Sequence, residues 1–171
     1  DFQSVVSREP NEMIRLVLDN KDSIPACYVH SMFSGAAFSE KKDTISQDTW
    51  EEMFKCFPCD MESQRATYFC IIIEKADIYE WSTDVLNQLN KIAINYNGIE
   101  SEEQHFGEMD SEGLFSKALN LLRGEAARAI GHLLWEKKEL IDTFKETIET
   151  LSSDKNPAVQ MASMFALWPT Y

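Results

Sequence analysis

Cysteine is scarce. The chain has four thiols in 171 residues, Cys27, Cys56, Cys59 and Cys70, too few for a disulfide-stapled scaffold, and they read as reduced thiols of a cytoplasmic protein. Positive charge is scarce as well: 16 Lys and Arg face 29 Asp and Glu, a formal charge of -13. Neutralising a phosphate backbone would need a concentrated basic patch, and none is present, so nucleic acid is not an expected partner. Long hydrophobic runs are missing too. The longest lies around Phe69 to Ile73, far short of the roughly 20 residues that span a bilayer, so a membrane is not expected either.

The commonest catalytic signatures are likewise absent. There is no G-x-x-x-x-G-K-S/T loop to cradle phosphates, and no G-x-S-x-G nucleophile elbow. His132-Leu133-Leu134-Trp135-Glu136 is not H-E-x-x-H, because a glutamate stands where the second ligand would be. The chain starts at Asp1 without a positively charged, apolar leader. It closes on the apolar Phe165-Ala166-Leu167-Trp168-Pro169-Thr170-Tyr171 without a polar capping element. Stacked helical architectures require polar terminal caps, so the expectation is a piece of a longer polypeptide.

What is present is an ordinary globular composition, 44% hydrophobic and 26% charged. A chain of this length can bury roughly 70% of its unfolded surface, enough for a single domain over 1–171. Apolar residues recur at three- and four-residue spacing and strand-like alternation hardly occurs, which predicts an all-α fold. Helices are expected at about Pro10 to Leu18, from Pro25 through Tyr28, Val29, Met32 and Phe33 to Gly35, and from an Asp48/Glu51 capping box through Phe57 to Pro58. Further helices are expected over Glu62 to Ala76, the most buried one, and after a Ser82 cap through Val85, Leu86, Leu89, Ile92, Ala93 and Tyr96. Residues 97–113 lose periodicity and carry Glu100, Glu102, Glu103, Glu108, Asp110 and Glu112. They read as a solvated acidic loop, since their spacing does not fit the D-x-D/N-x-D/N-G calcium pattern. Ala118 to Trp135 and Glu139 to Leu151 are predicted as antiparallel neighbours, and a last helix starts with Asn156 as cap and Pro157 as its first residue.

Short helices in antiparallel pairs, near the roughly 40-residue period of HEAT-type repeats, predict an α-α superhelix, a solenoid of stacked pairs. An internal echo supports it: P-A-x-x-x-x-S-M-F occurs at Pro25 to Phe33 and again at Pro157 to Phe165. Gly124, Ala127 and Gly131 share one helix face by three- and four-residue steps. A glycine inside a helix costs about 1 kcal/mol relative to alanine, so a neighbouring helix is expected to approach this bare stripe closely.

Asn120-Leu121-Leu122-Arg123-Gly124-Glu125-Ala126-Ala127-Arg128-Ala129-Ile130, then Leu133-Leu134-Trp135, then Asp154-Lys155-Asn156-Pro157-Ala158-Val159, resembles the HEAT-like helical arrays of large bacterial STAND-type NTPases, antiphage-defence proteins among them. Ile71-Ile72-Ile73-Glu74-Lys75-Ala76, with Trp81 and Val85-Leu86, is similar to the preceding helix pair of such an array. Leu121 stands where that group carries a small residue. The resemblance covers about Glu62 to Leu167. It implies a scaffold or sensor segment, with the ATP-binding domain and an N-terminal effector elsewhere in the parent chain.

The function expected is therefore a non-enzymatic protein-interaction or scaffold module of a larger NTPase. Its partner would be another protein or other domains of the parent chain, and no catalytic, cofactor-binding or metal-ligating residue is assigned. The alternative is a small zinc- or thiol-based protein centred on Cys56-Phe57-Pro58-Cys59. That pair falls at the far end of a predicted helix, where the dipole opposes a thiolate, and Cys27, Cys70 or His30 would have to complete a zinc site without paired spacing. His30 and His132 read as edges of helix interfaces, and His105 as a solvated loop residue. Trp50, Trp81, Trp135 and Trp168 read as core fillers, although a Trp exposed on a binding face would be a natural anchor.

Overall fold

A computed structural model describes residues 1–59, 63–95 and 110–170. Among them are ten α-helices and no strand, so the all-α expectation holds. The chain divides into two compact units, Asp1–Val85 and Leu86–Tyr171.

The first unit opens with a helix that periodicity did not announce, α1 (Phe2–Arg8), capped by the Asp1 carboxylate on the Ser4 N–H at 2.8 Å. Only Val6 of α1 is buried, too little to register as an apolar stripe. Helix α2 (Pro10–Asp19) follows with Pro10 at its first position and Ile14, Val17 and Leu18 inside. Helix α3 (Ala26–Ala37) continues through Gly35, where the sequence suggested a stop. A Cβ at Gly35 would lie 2.6 Å from the Gln3 carbonyl oxygen and 2.7 Å from Val6 Cβ, so this glycine is needed for the α1 crossing. Helix α4 (Gln47–Cys56) is capped by Ser46, whose hydroxyl accepts from the Thr49 N–H at 3.2 Å. The Asp48/Glu51 capping box does not form. Helix α5 (Ser63–Lys75) buries Phe69 through Ile73 without interruption.

Contacts between α1 and α3 advance together along both helices. Phe2 meets Tyr28, Gly35 meets Gln3 and Val6, and the Ser39 hydroxyl donates to the Ser7 carbonyl at 2.6 Å. The two helices therefore run in the same direction, with α2 as the return. Helices α3 and α5 do likewise, His30 lying on Tyr68 and Phe38 beneath Lys75. The unit's core centres on Phe54, whose ring packs against Phe33, Trp50, Phe69 and Trp81 at centroid distances of 6.2, 6.3, 4.6 and 5.9 Å. Burying side chains of this size is worth about 1.5–3 kcal/mol each.

Helix α6 (Thr83–Asn95) begins in the first unit and lies mainly in the second. There Asn90 is tied to α9 (Ile141–Ser152): its amide donates to the Thr143 carbonyl at 3.2 Å and accepts the buried Thr147 hydroxyl. Tyr96 and most of the expected acidic loop, 96–109, lie outside the described residues. Ser111–Gly113, placed in that loop by sequence, are instead the first turn of α7 (Ser111–Asn120), capped by Asp110 on the Gly113 N–H at 2.8 Å. The predicted helix over Ala118 to Trp135 is in fact two, α7 and α8 (Leu122–Glu136), broken at Leu121 with ψ of 144°. Gly124 explains the sharp turn. A Cβ there would collide with the Ala118 carbonyl oxygen, so only glycine lets the chain fold back onto the end of α7.

Helix α10 (Pro157–Leu167) starts as its sequence predicts, with Asn156 accepting from the Ala158 N–H at 2.9 Å and Pro157 first. Helices α8 and α10 run in the same direction, Gly124 near Ala162 and Gly131 against Phe165 and Ala166. A Cβ at Gly131 would sit on the Phe165 carbonyl oxygen, so the bare stripe on α8 is indeed filled by close helix neighbours. Ala126, Ala127, Ala129, Ala162 and Ala166 are fully buried around this contact.

Candidate interaction surface

Two halves of the sequence pattern quoted for the HEAT-like resemblance meet in the second unit. Arg123, at the start of α8, forms an ion pair with Asp154 at 2.6 Å, and both side chains are largely buried. The other Asp154 oxygen accepts from the Asn156 N–H at 2.8 Å, and Gln160 donates to the Asp154 carbonyl at 2.7 Å. The loop ahead of α10 is thus held to α8, and α10 is fixed in direction.

What α10 then presents is unusual. Its eleven residues contain only two polar side chains, Gln160 and Ser163. Ser163 is buried and donates to the Gln160 carbonyl at 2.7 Å. A helix apolar on every side is normally enclosed on every side. Here Ala158, Val159, Ala162 and Ala166 are enclosed, but Met164 is 49% exposed and Trp168, just past the helix end, is 70% exposed. Phe165 extends the face to α7 through an edge-on contact with Phe115 at 5.6 Å, and Phe115 is itself 46% exposed. Trp135, 61% exposed, stands one helical turn beyond Gly131 on the same side of α8, and the end of α8 packs on the 3-10 turn Trp168–Thr170. Aromatic side chains carry about 150–250 Å² each, so these half-exposed rings leave substantial apolar surface uncovered.

Two of the four tryptophans are therefore core fillers, Trp50 and Trp81, and two are not. Helical periodicity puts a Trp on a face. It does not say whether a neighbour covers that face.

The cysteines do not assemble. Cys27 is exposed on α3, Cys56 is half-buried as the last residue of α4, Cys59 is buried with its thiol toward the Phe57 carbonyl at 3.5 Å, and Cys70 is buried in α5. Among the described residues no three His, Cys, Asp or Glu side chains come together as a metal site. His30 and His132 are half-buried on α3 and α8, and His105 lies outside the described residues. A cleft of about 500 Å³ lies at Ser7, Arg8, Glu9, Phe38, Glu40 and Lys41. Its two cations are matched by two carboxylates, and Lys41 pairs with Glu9 at 2.7 Å, so it offers no net charge to a ligand. Among the described residues no helix is long and apolar enough to cross a membrane.

Glu51 is set apart electrostatically. Burial pushes its pKa up, but hydrogen bonds from Gln47 and from both the backbone and hydroxyl of Ser82 outweigh that and hold it below the ordinary 4.5. The Ser82 N–H lies 2.9 Å away, so this group ties the start of α6 to α4 and has a structural role.

No known protein family, no curated protein and no solved structure matches this chain.

Proposed function

We propose that the chain is a non-enzymatic interaction module, a HEAT-like stack of helix pairs that serves as scaffold or sensor within a larger STAND-type NTPase of the antiphage-defence kind. It binds another protein, or another domain of the parent chain, through the face formed by α7, α10 and the end of α8. The observation that carries this reading is the exposed apolar side chain of Met164 on α10, a helix with no charged residue, with Trp168 just past its end and Phe115 of α7 also exposed. The same-direction runs of α1, α3 and α5, and of α8 and α10, with a returning helix between, support the stacked-pair reading within each unit. So does the Arg123–Asp154 pair that joins the two halves of the resembling pattern.

The test is affinity capture with the full-length parent, wild type against Met164→Glu. Loss of a defined partner from the variant, with the fold intact by circular dichroism, is the expected result. An unchanged partner set would reduce the segment to a spacer, and stoichiometric zinc in the purified protein would favour the thiol-centred alternative instead.

A further inference from the structure

We draw no further inference here: the strongest candidate, the surface patch of Met164 and Trp168 at α10 with Phe115 on α7, is an unpartnered apolar face, and nothing in the structure shows what covers it.

Discussion

Replacing a helical glycine by alanine ordinarily stabilises a helix by about 1 kcal/mol. At Gly131 the sign should reverse, because the added methyl would occupy the position of the Phe165 carbonyl oxygen, a backbone atom that cannot rotate away. Gly131→Ala is expected to lower stability by about 1–3 kcal/mol and Gly131→Leu by more, read as a fall in melting temperature. A variant that melts with the wild type would mean α8 and α10 do not approach this closely. The spacing of Gly124 and Gly131 made a close neighbour legible in the sequence; which backbone fills the space was not, since the contacts come from Ala118 on one side and Phe165 on the other. Glu51 shows the opposite case. Its position three residues after Asp48 reads as a capping box, yet its carboxylate turns to Ser82, 31 residues away. Because its folded pKa lies below the unfolded value near 4.5, its contribution is complete above that value and is lost as pH falls through the lower folded pKa. Glu51→Gln should therefore be less stable than wild type near neutral pH and converge with it in acid, measured by chemical denaturation at a series of pH values. A constant difference across that series would show that the carboxylate charge is not what Ser82 recognises.

At the scale of elements, the helices with broad apolar stripes were readable and the junctions between them were not. Helices α2, α5, α6 and α10 fall within a residue or two of their periodic patterns, because burial on one face dictates both. Helix α1 escaped because one buried valine makes no pattern. The α7–α8 break escaped because nothing local announces it: Leu121 is a good helix former, and the turn is permitted by Gly124 three residues later. The α9–α10 junction is held by Asp154, which accepts from Arg123 and from the Asn156 N–H with its two carboxylate oxygens. Asp154→Ala should cost about 1–3 kcal/mol by urea denaturation, part from the ion pair and part from the abandoned N–H. Combining it with Arg123→Ala should cost less than the two single losses added together, since the pair is then removed only once. Strict additivity in that cycle would show the ion pair to be energetically idle.

At the scale of the whole molecule, the question is whether the uncovered face of the second unit is open in solution. The all-α class was legible because every segment with periodicity repeats at helical spacing. The candidate surface was not, because Met164, Phe165 and Trp168 have the same apolar character as the buried Met32, Phe33 and Trp50. Exposure is a property of the neighbours, and the sequence does not say which are missing. The four tryptophans make this measurable: Trp50 and Trp81 are buried at 1% and 5% exposure, Trp135 and Trp168 exposed at 61% and 70%. Intrinsic fluorescence should contain two populations, one blue-shifted and shielded from acrylamide, the other red-shifted and readily quenched. Replacing Trp135 and Trp168 together by Phe should strip out the quenchable component and change stability by less than about 1 kcal/mol, as exposed positions do. If the wild-type emission already resists acrylamide when dilute, something covers these side chains in the free protein, and the face is spoken for before any partner arrives. If it is quenched when dilute, the apolar side chains of Trp135 and Trp168 are uncovered in the free protein, as their exposure requires.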